Sequence, residues 1–149
     1  MPESFLGPFV HDLRFIHPFC MIVSGTTGAG KSTFLRNMIE KQGIKGKINE
    51  IYYFMPRIEN IKIKVQPHQR FVKMQGLPTQ EWVDENWKPD TSNRDVLFVI
   101  DDMWDESIKN DCTKNLCVYA QNHLGISTAF VTQYYFEQSK IAQLMKYVS

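Results

Sequence analysis

Residues 25–32 read Gly-Thr-Thr-Gly-Ala-Gly-Lys-Ser, and they stand directly behind the apolar run Cys20-Met21-Ile22-Val23-Ser24. That run, bounded by Pro18 and Gly25, predicts a short buried strand. From Lys31 to Lys41 the apolar residues Phe34, Leu35, Met38 and Ile39 fall at helical spacing, and Gly43 and Gly46 then stop the pattern. Glycines let the backbone curl so that successive N–H groups face one anion, and the N-terminus of the following helix adds a positive end. Lys31 can reach terminal phosphates as a point charge, and Ser32 offers a hydroxyl to a divalent cation. The pattern fits a P-loop at every fixed position. A chance match in a glycine-rich turn would not bring the right strand and helix with it. Gly25, Thr26, Thr27, Gly28, Ala29, Gly30, Lys31, Ser32 and Thr33 are therefore expected to hold a nucleoside triphosphate, with Ser32 on magnesium.

The rest of the chain alternates strands and helices. Glu50–Met55 is β-branched and aromatic and ends at Pro56, a strand; Phe71–Gln75 reads as a short strand. Pro78 suits the opening of a short helix through Glu85. Lys88–Asp95 is polar, with Pro89, Asp90, Ser92 and Asn93, and reads as a loop. Val96-Leu97-Phe98-Val99-Ile100 is a buried strand by length and β-branched content. Lys109–His123 fits a helix, Ile126–Val131 a strand, and Phe136–Tyr147 a last helix. Such alternation predicts an α/β fold with a mainly parallel sheet covered on both faces. At 149 residues the chain fits one domain. Residues 1–16 read as an N-terminal extension and 57–94 as a variable middle segment.

Two carboxylates, Asp101 and Asp102, end the most apolar strand. Unpaired acids at a buried strand end are costly, so a cation is the expected partner. In a P-loop enzyme the first acid belongs near magnesium and the second can act as general base on the attacking water. Asp101 is thus the expected metal ligand and Asp102 the water activator. An exposed acidic loop continuing through Asp105 and Glu106 is the plainer alternative, and Glu106 a weaker candidate for either role. The later strand ends in Thr132-Gln133. If it lies beside the Asp101 strand, the Gln133 amide can hydrogen-bond the attacking water or sense the phosphate. Lys31, Asp102 and Gln133 form the expected catalytic set.

Composition narrows the alternatives. Lys plus Arg number 17 and Asp plus Glu 16, a net charge of +1, so no bulk charge draws the chain to nucleic acid. The lysines at 41, 45, 47, 62, 64 and 73 could track a phosphate backbone but read more simply as a solvated surface. Trp82, Trp87 and Trp104 could stack on bases, but core or interface packing explains them better. Cys20, Cys112 and Cys117 are odd in number and contain no C-x-x-C, which argues against a disulfide framework or structural zinc. The four histidines lack metal-ligand spacing. No apolar run is long enough to span a bilayer, and Met1–Phe19 lacks the form of a signal peptide.

With these elements placed, the sequence resembles the packaging ATPases of the FtsK/HerA group, most closely those of Polinton (Maverick) elements, adintoviruses and related large DNA viruses. The likeness runs through His17–Ser24 into the P-loop, Ile51–Phe54, Gln75-Gly76-Leu77-Pro78, Val96–Met103, Asn122-His123 before Ile126-Ser127, and Thr132-Gln133. It implies a five-stranded ASCE-type P-loop core, a three-layer sandwich, hydrolysing ATP with Mg2+. It also implies a homo-oligomeric ring, usually a hexamer, that moves double-stranded DNA into a capsid, with a capsid or portal protein as partner and no membrane. The expected location is intracellular, virion-associated or at the site of virus assembly in the host cytoplasm or nucleus.

Two departures stand out. Such ATPases usually carry an arginine in a segment like L-F-T-R-G-S-H-H. The matching residues are Leu116–His123, with Tyr119 in the arginine position and Asn122 for the first histidine. An arginine acting across a subunit interface can supply about 10³-fold or more in rate. Arg36 and Arg94 are the conceivable substitutes. Tyr134 also stands where asparagine is common. Similar proteins continue beyond the last helix, so the chain is expected to be C-terminally shortened. The alternatives are a nucleotide-binding relic or regulatory protein with little turnover, which the missing arginine favours, and a small P-loop kinase. The kinase is opposed by the absence of any arginine after Asp101. A GTPase is opposed by the lack of an N-K-x-D motif.

Overall fold

A computed structural model describes residues 14–25, 30–88 and 95–132. The central sheet uses β2 (Cys20–Ser24), β4 (Glu50–Met55), β5 (Arg70–Gln75), β6 (Val96–Asp101) and β7 (Ile126–Thr132). The order is β2-β7-β6-β4-β5, and every pair is parallel. β1 (Phe15–Ile16) and β3 (Ile44–Lys45), which sequence patterning does not reveal, form a separate parallel pair. Two residues each give too little pattern to read.

Alternation along the strands divides the core in two. Tyr52, Phe54, Val96, Phe98, Ile100, Ile126 and Phe130 point to one face. There they meet Val83 and Trp87 of the middle segment and Leu116, Cys117, Ala120 and Leu124. Ile51, Tyr53, Met55, Leu97, Val99, Ala129 and Val131 point to the other, against Leu35, Met38 and Ile39 of α1 (Lys31–Glu40). Trp82 and Trp87 pack edge-on to each other at 5.0 Å and against Phe98, so both belong to the core. Trp104 is buried against Phe130. Packing therefore accounts for all three tryptophans.

The helix ends follow local chemistry. α1 stops earlier than its glycines suggest: Gln42 takes a left-handed φ of 55°, and Gly43 N–H reaches back to Met38 O at 2.8 Å. This is a Schellman-type closure. A Cβ on Gly43 would sit 3.0 Å from Met38 Cα, a tight approach that favours glycine. Thr79, after the buried Pro78, caps α2 (Gln80–Asn86) by accepting from Trp82 N at 3.2 Å.

The helix expected over Lys109–His123 is formed from Asp111 onward without a break, but its pitch changes from α to π at Leu116. α3 (Trp104–Ile108) comes first, where an acidic loop was the alternative, with Asp105 and Glu106 favourably placed in its first turn. It closes when Lys109 N and Asn110 N turn back to Glu106 O and Ser107 O. The Asn110 side chain then accepts from Thr113 N and starts α4 (Asp111–Asn115). The chain continues as a π-helix, Leu116–Leu124, ended by Gly125 at φ 65°. The segment aligned with the arginine-bearing helix is thus a π-helix, with Tyr119 exposed on it. The loop expected at Lys88–Asp95 falls largely outside the described residues, as does the helix expected at Phe136–Tyr147. No described helix is long and apolar enough to cross a membrane.

Candidate functional site

β7 lies between β2 and β6, so Ser24, Thr132, Val131 and Asp101 come to the same sheet end. Register pairs Ser24 with Thr132 and Asp101 with Val131. Two inter-strand spacings, roughly 10 Å, separate the P-loop strand from the acid strand. Gly25 leaves β2 with its N–H on Thr132 O at 3.2 Å. Thr26, Thr27, Gly28 and Ala29 lie outside the described residues. Gly30 re-enters at φ 88°, with nothing among the described residues within 4 Å of a notional Cβ, and caps α1. Phe34 N–H bonds Gly30 O at 2.8 Å. Lys31 and Ser32 open the helix, and Thr33 is exposed beside them. The Lys31 ammonium turns back over the loop and donates to Gly25 O at 2.6 Å.

Asp101 is the last residue of β6, on the α1 face by alternation from Leu97 and Val99. Its Oδ2 accepts from the Tyr53 hydroxyl at 2.8 Å. Burial pushes the Asp101 carboxyl above the ordinary carboxylate range, with Asp102 and Glu59 adding to the rise. The Tyr53 hydrogen bond and the Lys31 charge oppose it. Burial and the Asp101 charge beside it push the Tyr53 phenol well up, so Tyr53 stays a donor. Asp101 is therefore a desolvated carboxylate, crowded by like charge and faced by the P-loop lysine. A divalent cation would relieve that excess.

Asp102 is exposed and holds φ 60°, with its N–H on Val131 O at 2.9 Å. Aspartate tolerates the left-handed region better than most residues, and this backbone conformation sits directly after the end of β6. Gln133 and Tyr134 lie outside the described residues. Glu106 is exposed on α3. Arg36 lines a cavity of about 420 Å³ with Leu35, Tyr53 and Lys62. Arg94 is outside the described residues. Sequence reading missed Tyr53 and Glu59. The tyrosine was visible only as one aromatic in Ile51-Tyr52-Tyr53-Phe54, and nothing local says which of the two hydroxyls shares a face with Asp101.

The sequence profile described as Poxvirus A32 protein matches residues 8–140, most of the chain. The chain belongs to the poxvirus A32 family. That family consists of viral DNA-packaging ATPases. A search of curated proteins gives no match. The fold agrees with an A32-type P-loop core, mostly parallel and helix-covered.

The donors present fit a magnesium-nucleotide pair. Among the described residues no group of three or more His, Cys, Asp or Glu could cage a metal. Magnesium needs no such cage, since it usually sits on one or two carboxylates plus phosphates and water. In this A32 member two carboxylates, Asp101 and Asp102, stand at the carboxyl end of β6.

Proposed function

We propose that this chain hydrolyses ATP with magnesium to drive double-stranded DNA into a viral or transposon capsid. The observation that carries the reading is Asp101: a desolvated carboxylate on the α1 face, one strand removed from the P-loop strand and under the influence of Lys31. Residues 25–33 would hold the triphosphate, Lys31 releasing Gly25 O for the terminal phosphates. Ser32 and Asp101 would hold magnesium, which when bound neutralises charge on the phosphate oxygens. The Asp102 carboxylate would take the proton of the attacking water, and the Gln133 amide would orient that water.

The wider assignment rests on family membership and on the likeness to FtsK/HerA-type and Polinton packaging motors. It comprises a single ATPase domain with an N-terminal extension (1–16) and a variable middle (57–94). It further comprises a hexameric ring, a capsid or portal partner, and work at the site of virus assembly. One specific observation favours a second reading, a nucleotide-binding protein with little turnover: Tyr119 occupies the arginine position, exposed on the π-helix.

ATP turnover of wild type and Asp102→Asn, with and without duplex DNA, tests the assignment. The motor reading expects DNA-stimulated turnover that the substitution lowers by about 10²–10⁴-fold, the usual worth of a positioned base. Lys31→Ala should weaken ATP binding, and Asp102→Asn should spare it. Tight ATP binding without turnover in wild type overturns the motor and supports the second reading. Equal loss of binding in both variants overturns the division of roles.

A further inference from the structure

Cys20 and Cys117 are 97 residues apart in sequence, yet their Sγ atoms lie 2.8 Å apart. Cys20 is half-buried on β2, five residues before Gly25, and Cys117 is buried on the inner side of the π-helix. Both are free thiols. A disulfide needs about 2.05 Å between sulfurs, so closure requires a movement of roughly 0.8 Å. No third metal-ligating side chain joins them among the described residues, which leaves zinc without a site. Thr128 takes the register position beside Cys20, and its buried hydroxyl has no hydrogen-bond partner among the described residues. The third cysteine is elsewhere: Cys112, on α4, is buried and pushed up to about 11 by burial and the Asp84 charge.

We propose that Cys20 and Cys117 form a reversible disulfide by exchange with a small-molecule disulfide of the glutathione type, tying the P-loop strand to the π-helix. The half-buried Cys20 is the sulfur an external reagent reaches first. Its thiolate attacks one sulfur of the reagent, and the reagent's other half leaves as a thiolate. Cys117 then gives its proton to that leaving thiolate and attacks Cys20 Sγ, expelling the second reagent thiol. The protein loses two electrons and two protons, and one reagent disulfide becomes two thiols. In the reduced protein the neighbouring Cys20 thiol and burial hold the Cys117 thiol well above its ordinary range.

The test uses the folded full chain, reduced and then incubated with glutathione disulfide. Alkylation under denaturing conditions and peptide mapping follow. The expected result is a Cys20–Cys117 linked peptide, a fall in alkylatable thiols from three to one, and full reversal by dithiothreitol. Cys112→Ser should still close the link, and Cys117→Ser should instead accumulate a Cys20–glutathione adduct. A wild type that retains three alkylatable thiols, stops at the Cys20 adduct, or links through Cys112 overturns the proposal.

Discussion

Tyr53→Phe removes one oxygen from a buried ring and leaves the rest of the core in place. Tyr53 is only 3% exposed, and its ring contact with Phe71 at 6.2 Å does not involve the hydroxyl. What is lost is the 2.8 Å donation to Asp101 Oδ2. A hydrogen bond to a charged partner contributes about 1.5–3 kcal/mol. At about 1.4 kcal/mol per factor of ten, that is roughly ten- to 150-fold. It agrees with the ten- to hundred-fold usually lost when a metal ligand's supporting partner is removed. The loss should appear as weaker magnesium affinity, because the hydroxyl steadies the ionised carboxylate. ATP turnover would be measured across a magnesium titration at saturating nucleotide. The half-saturating magnesium should rise by about ten-fold or more, with metal-free nucleotide binding unchanged. Tyr52→Phe is the control: that hydroxyl bonds Glu50 at the other end of β4, on the opposite face. A wild-type magnesium profile in Tyr53→Phe, or an equal shift in Tyr52→Phe, refutes the reasoning.

Asp101→Asn should stabilise the metal- and nucleotide-free protein at neutral pH. The folded carboxyl titrates above its unfolded value, so the native state binds the proton more tightly. The penalty therefore sets in as pH rises past the unfolded value and is complete above the raised folded value. Asparagine avoids it and can still accept from Tyr53. The advantage should vanish below about pH 4, the ordinary carboxylate range; urea unfolding at both pH values checks it, and no gain at pH 7 refutes it. Phe98→Ala should cost about 3–5 kcal/mol, since Phe98 is 0% exposed in the aromatic cluster; denaturant midpoints measure this, and a loss under 1 kcal/mol would deny its central place. Gln42→Gly should raise stability by up to about 1 kcal/mol by relieving the left-handed φ of 55°. A drop in thermal midpoint would count against that account of the helix end.

Several features were legible without the fold because their signals are local. The strand at Cys20–Ser24, the helix from Lys31, the aromatic strand at Glu50–Met55 and the apolar run ending in Asp101 all carry their periodicity within a few residues. The helix after Pro78 was visible through its cap chemistry, although Thr79 is the cap. The stretch from Trp104 to Leu124 was not. Its break between Ile108 and Asp111 depends on an asparagine cap and on N–H groups that turn back to Glu106 O and Ser107 O, and its change to π pitch at Leu116 has no sequence signal. The acid pair was legible as two carboxylates after an apolar run, but the hydroxyl that holds Asp101 was not.

The sequence alone determined that a glycine-rich turn stands between a strand and a helix, and that two acids follow a buried strand, although the first strand is half-buried rather than buried as expected. It did so because glycine spacing and apolar runs are properties of adjacent residues. Only the tertiary structure decided that β7 inserts between those strands, which face Asp101 occupies, and that Tyr53, Glu59 and Lys31 share its surroundings. It alone brought Cys20 to Cys117 as well. Strand order and register are set by packing between segments far apart in the chain, and a period of two says that a side chain alternates without saying what it meets.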